Sequence, residues 1–240
     1  DLKFGDSFLE KAPGVDVTLD SVFSKAENAR YFLWDTYGKL YYALPVYWND
    51  VDNKMNMGMF ETLSDSWHSH LSWDGVNRSY YNGTYNANRE DTGNDTKFGY
   101  SKENTWEAIR KAWLFVENVD RVPDMQQDEK ERLKAEAKVI VASRYFDMFR
   151  HFGGLPIIDK AYDFSLDESY YQTPRASVEQ TVEFMTSLLD EASSVLPWAL
   201  DEGEISNWDG RFTKAGAMGL KTKILLFAAS PLFNDTEPYS

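Results

Sequence analysis

The sequence predicts a mainly α fold: a tetratricopeptide-like stack of helix hairpins with one long irregular loop region. Three observations lead there. Apolar residues recur at three- and four-residue steps in five separate segments, the mark of a helix with one buried face. After a lone first helix, the other four come in pairs joined by short breaks. Between the first helix and the rest, residues 46–102 hold no long periodic segment and are dense in Asn, Asp, Gly, Ser, Trp and Tyr.

The first helix spans about 24–44. Ala26, Ala29, Leu33, Tyr37, Leu40, Tyr41 and Leu44 form its stripe, and Pro45 stops it because proline disfavours the helical region for its predecessor. In the region that follows, Tyr81-Asn82-Gly83-Thr84 and Asp91-Thr92-Gly93-Asn94-Asp95 are turn chemistry. A loop region of this length within a domain points to function, and its aromatic content argues against disorder.

The second helix runs from Glu103 to about Asn118, with Trp106, Ile109, Trp113 and Val116 on one face. Val122-Pro123-Asp124 breaks the chain. The third runs from about Gln126 to Phe152 and stops at Gly153-Gly154, where glycine takes the left-handed cap conformation at little cost. Leu155-Pro156-Ile157-Ile158 reads as a short extended segment. The fourth helix opens at Ser177, which forms a capping box with Gln180, and stops at Pro197. The fifth covers Thr213 to about Ser230. Its Ile224-Leu225-Leu226-Phe227-Ala228-Ala229 run is apolar all round, which predicts a buried helix. Ala135, Ala137, Ala142, Ala215, Gly216, Ala217 and Gly219 allow close backbone approach between neighbours.

Composition excludes several functions. Among 240 residues, 25 Lys and Arg stand against 39 Asp and Glu, a net charge of −14. That argues against nucleic acid as a partner, since a phosphate backbone requires clustered cations. It equally disfavours adsorption to anionic lipid. With no Cys, there is no disulfide, thiolate metal site or Cys nucleophile within these residues. The N-terminus lacks a basic region followed by an apolar run, and a first residue of Asp favours a processed start.

Several segments together resemble one family. Lys134-Ala135-Glu136-Ala137-Lys138, Arg144-Tyr145-Phe146-Asp147 and Phe152-Gly153-Gly154-Leu155-Pro156 follow one of its motifs. Pro174-Arg175-Ala176-Ser177-Val178 follows a second. Gly210-Arg211-Phe212-Thr213-Lys214-Ala215-Gly216-Ala217 with Ala228-Ala229-Ser230-Pro231-Leu232-Phe233-Asn234 follows a third, and Ser7-Phe8-Leu9-Glu10-Lys11-Ala12-Pro13 a fourth. The chain resembles the SusD/RagB family of outer-membrane nutrient-binding lipoproteins of Bacteroidetes, everywhere except between Val46 and Lys102. Val139-Ile140-Val141-Ala142-Ser143 departs mildly from the family run.

The resemblance implies a SusD-like α-superhelical fold with its helical scaffold at 24–44 and 103–233 and a variable loop region at 46–102. It implies a cell-surface lipoprotein, held to the outer membrane by an N-terminal lipid on a Cys ahead of Asp1. The implied role is non-catalytic capture of glycan for a SusC-like TonB-dependent transporter. Family chains continue about as far again, so residues 1–240 would be the N-terminal part of a single domain.

A sugar binder needs aromatic platforms for pyranose faces and amide, carboxylate and guanidinium groups for hydroxyls. Residues 67–82 offer that mixture. The candidate contacts are Trp73, Asn77, Arg78, Tyr80 and Tyr81, with Trp67 and Asp65 behind them. The bland alternative is that these rings plug the loops onto the helices. Trp106 and Trp113 have core spacing, Trp34 and Trp48 read as packing, and Trp198 and Trp208 flank a polar loop as surface aromatics. His68 and His70 would face one way on a strand and, with Asp65 or Asp74, could ligate zinc. Asn49, Asp50, Asp52 and Asn53, or Asp91, Asn94 and Asp95, offer oxygens but not the EF-hand spacing. The reading is therefore no metal and no cofactor. Peptide capture and a purely protein-docking scaffold stay open as alternatives. A glycoside hydrolase would need two carboxylates flanking one bond, and among 39 acidic residues a chance pair carries no weight.

Overall fold

The computed structural model describes residues 18–40, 64–66, 68, 81–83, 105–162, 172–204 and 210–234. Among them every regular element is a helix. In chain order these are α1 (Leu19–Val22), α2 (Ala26–Tyr37), α3 (Thr105–Asn118), α4 (Gln127–Phe152), α5 (Val178–Val195), α6 (Lys214–Ala228) and α7 (Pro231–Asn234), with a 3-10 turn at Val119–Arg121. Consecutive long helices pack on one another: α3 on α4, α4 on α5, α5 on α6, with α2 against α3 and α4. This is the expected hairpin stack.

The first helix is shorter than its apolar stripe. It stops at Tyr37, where the Gly38 N–H bonds back to the Trp34 carbonyl at 3.0 Å and a turn follows. Leu40 still reaches the core, so the burial pattern outlasts the helix. Tyr41 and Leu44 lie outside the described residues. The start of α2 has no side-chain cap of its own. Asp124, from the α3–α4 break, instead accepts the Ala26 N–H at 2.7 Å and satisfies one orphan donor from far along the chain.

α4 is the central element, about 39 Å long at 1.5 Å per residue. Val139, Ile140, Val141, Ala142, Tyr145, Phe146, Met148 and Phe149 are buried on several faces, because α2, α3, α5 and α6 all touch it. Trp113 lies in the core and Trp106 packs edge-on to Tyr145. The helix ends where it was expected, at Gly153, whose φ of 69° only glycine adopts freely.

The segment after α4 is extended but has no strand partner among the described residues. Side chains pin it instead. The Trp113 indole N–H donates to the Ile158 carbonyl at 2.8 Å. The Tyr145 hydroxyl donates to the Pro156 carbonyl and accepts the Ile158 N–H, both at 2.8 Å. Arg175 clamps the turn from the other side, donating to the Gly154 and Phe152 carbonyls at 2.6 and 2.7 Å. Gly154 must stay glycine, since a Cβ there would lie 2.1 Å from the Ala176 carbonyl oxygen.

The capping box at α5 is present, with Ser177 and Gln180 each bonding the other's backbone N–H at 3.0–3.1 Å. α6 corrects the expectation of a fully buried helix. Ala217 and Ile224 are buried and Leu220 and Phe227 lean on the core, but Leu225 and Leu226 are 45% and 73% exposed. The described helices cover only one of its two apolar faces.

Candidate functional site

Of the seven candidate contact residues, two are described. Asp65 is exposed in the Ser64–Ser66 bend, where the Ser64 and Ser66 hydroxyls hydrogen-bond at 2.6 Å. Tyr81 is half-buried and packs against the hydrophobic core, and its ring stacks on His68 at 4.3 Å with the planes 20° apart. Asn82 and Gly83 continue into an exposed turn, and Gly83 has φ 71° with open space around it. The turn expected from Tyr81-Asn82-Gly83 is therefore there. Trp67, Trp73, Asn77, Arg78 and Tyr80 lie outside the described residues, as do His70, Asp74, Trp48, Trp208 and both oxygen-rich stretches considered for calcium.

Tyr81 takes the packing role weighed for it. It fixes the loop to the helices, and His68 gives it a second ring in parallel. Among the described residues no group of three or more His, Cys, Asp or Glu could hold a metal ion.

Trp198 is 64% exposed, as its sequence setting suggested. Its backbone is held across the start of α6: the Pro197 and Trp198 carbonyls accept the Lys214 and Ala215 N–H groups at 2.8 and 3.4 Å.

The motif residues do different work. Glu136 on α4 is fully buried and accepts two hydrogen bonds from the Arg211 guanidinium, at 2.5 and 3.1 Å. The Tyr37 hydroxyl donates to the same carboxylate at 2.8 Å and accepts the Phe212 N–H at 3.0 Å. Burial, then the neighbouring Glu136 charge, pushes the Tyr37 phenol well above its ordinary value, so it stays a donor. Arg132 adds a longer ion pair to Glu136 and a short one to Glu204. Arg211 also lies over the Trp34 ring at 5.1 Å. This network ties α2, α4 and the approach to α6 together. Sequence reading quoted Glu136 and Arg211 as motif letters but missed that they meet, because 75 residues separate them.

A second buried cluster sits near the end of α4. Arg144 donates to Asp147 at 3.2 Å and to the Thr105 hydroxyl at 2.5 Å, and Arg150 donates to Asp147 at 2.7 Å. Burial raises the Asp147 pKa and the two guanidinium groups oppose it. The described buried carboxylates are thus each committed to arginine.

Residues 46–226 match a protein-family model described as SusD-like, starch-binding and associating with the outer membrane. No curated protein matches the chain. Among solved structures, the protein BT4246 is 27% identical at TM-score 0.63, over 90% of this chain and 33% of its own. A laminarin-binding SusD-like protein is 20% identical at TM-score 0.60, over 85% of this chain and 40% of its own. Surface glycan-binding protein A from Bacteroides uniformis is 16% identical at TM-score 0.63, over 84% of this chain and 42% of its own. The chain therefore spans less than half the length of these structures.

Proposed function

Because this chain belongs to the SusD-like family of starch-binding proteins that associate with the outer membrane, we propose that it serves non-catalytic glycan capture at the cell surface. The family match carries the reading, since at residues 46–226 it runs through the aromatic loop region and the helices from α3 into α6. Two structures of the same fold are a laminarin-binding protein and a surface glycan-binding protein. The finer steps belong to the proposal too: a lipid anchor ahead of Asp1, and delivery of the glycan to a SusC-like TonB-dependent transporter.

The contact residues proposed are Trp73, Asn77, Arg78, Tyr80 and Tyr81, supported by Trp67 and Asp65. Aromatic faces stack on the apolar faces of sugar rings, while Asn, Arg and Asp address the hydroxyls. The Tyr81–His68 stack supports this placement, because Tyr81 leans on the core while His68 stays exposed beside it. Non-catalytic binding is supported by the family's description as starch-binding.

The test is affinity electrophoresis and calorimetry against a polysaccharide panel that includes starch and laminarin. Retardation by at least one glycan, weakened by Trp73→Ala and Tyr81→Ala, is the expected result. Release of reducing ends by the pure protein would overturn the non-catalytic reading. Binding to peptides and to no glycan would replace it with peptide capture.

A further inference from the structure

The two rings of the Tyr81–His68 stack are not equivalent. Tyr81 is half-buried and packs against the hydrophobic core, whereas His68 is exposed. With centroids 4.3 Å apart and planes 20° from parallel, the rings fill the space between them. One face of Tyr81 is therefore closed by the imidazole. The ring of this pair that meets solvent is His68, and Tyr81 joins it to the core.

Such a ring suits a sugar. An imidazole is flat, and a flat ring accepts the C–H face of a pyranose. Its two nitrogens lie on the edge, where they can donate to or accept from the hydroxyls around that face. Stacking on Tyr81 holds the imidazole in one orientation before anything binds, which lowers the cost of ordering it in a complex. Asp65, exposed three residues earlier, brings a carboxylate to the same stretch. Sequence reading considered His68 only as a zinc ligand beside His70, because spacing carries no information about which ring a loop histidine meets.

We propose, resting on the glycan-capture reading above, that His68 is itself a glycan-contacting residue and that Tyr81 serves the site as its support. The sugar then lies on the outer face of the imidazole, and the phenol behind it sets the position and tilt of that face. Loss of either ring removes the same contact, so the two act as one unit.

The test is affinity electrophoresis in gels of the polysaccharide panel, starch and laminarin included. It compares the wild-type protein with His68→Ala, His68→Phe, Tyr81→Ala and the double alanine variant. In the gel that retards the wild type most, His68→Ala should weaken affinity about tenfold, the worth of one stacked ring. Tyr81→Ala should weaken it as much, and the double variant no more than about threefold beyond either single change. His68→Phe keeps a flat face and should recover most of the loss. Because His68 is exposed, His68→Ala should melt with the wild type. Carbethoxylation of His68 by diethyl pyrocarbonate, mapped by peptide mass spectrometry, should slow severalfold when an oligosaccharide of the retarding polysaccharide saturates the protein. Wild-type affinity in His68→Ala, or losses that add to about a hundredfold in the double variant, would overturn the proposal, since Tyr81 would then meet the sugar itself. So would carbethoxylation that the oligosaccharide leaves unchanged. A wild-type protein that no gel retards removes the glycan reading, and this assignment falls with it.

Discussion

Glu136→Gln removes the charge at the centre of the buried network and changes almost nothing else. The amide keeps one acceptor oxygen, enough for Tyr37 or for one Arg211 N–H. Its NH2 replaces the other oxygen and confronts a guanidinium donor. A hydrogen bond to a charged group contributes about 1.5–3 kcal/mol, and the carboxylate accepts two from Arg211. Arg211, largely buried, also loses this carboxylate as an ion-pair partner. Breaking a buried pair from one side costs about 3–5 kcal/mol, so a loss of about 3 kcal/mol is expected for this partly compensating change. Urea unfolding followed by far-ultraviolet circular dichroism reads it directly. The double-mutant cycle with Arg211→Met should show coupling of about 1.5 kcal/mol or more, since once Arg211 is apolar the Gln confronts no guanidinium there. A loss under about 1 kcal/mol for Glu136→Gln, or additivity within ~0.5 kcal/mol in the cycle, would refute the claim that this pair locks α4 to the approach to α6.

Other predictions follow from single features. Gly154→Ala should cost about 3 kcal/mol or more in chemical unfolding, because the new Cβ meets a backbone carbonyl at 2.1 Å. Ser177→Ala should cost about 1 kcal/mol by removing half of the capping box, measured in the same assay. Burial, with Arg150 adding to it, lowers the His151 pKa from the usual 6.5 to about 4. A depressed value means the folded state favours the neutral ring. Its contribution is fully present above pH 6.5 and is lost as pH falls towards 4, up to about 3 kcal/mol. His151→Gln should flatten the fall in stability across that window, and an unchanged pH profile would refute it. For glycan capture, Trp73→Ala should weaken retardation in a polysaccharide gel while the melting temperature stays put.

The candidate site was only partly legible, for a physical reason. Loop residues such as Asp65 and Tyr81 have no periodicity to say which way they face. Sequence supplied their chemistry, and packing decided that Tyr81 leans on the core beside His68.

Helix positions were determined locally. The 3.6-residue period, the Gly153-Gly154 stop, the Ser177 capping box and the proline breaks act over a few residues, and each element from α3 to α6 lies close to where they put it. Tertiary structure alone decided which distant groups meet. Asp124 caps α2 across 98 residues, and Tyr37, Glu136 and Arg211 converge from three parts of the chain. It also divided α6 into a covered and an open face, where the sequence read apolar all round. Hydrophobicity states that a side chain is better out of water, but the neighbour that removes it from water has to be supplied by the fold.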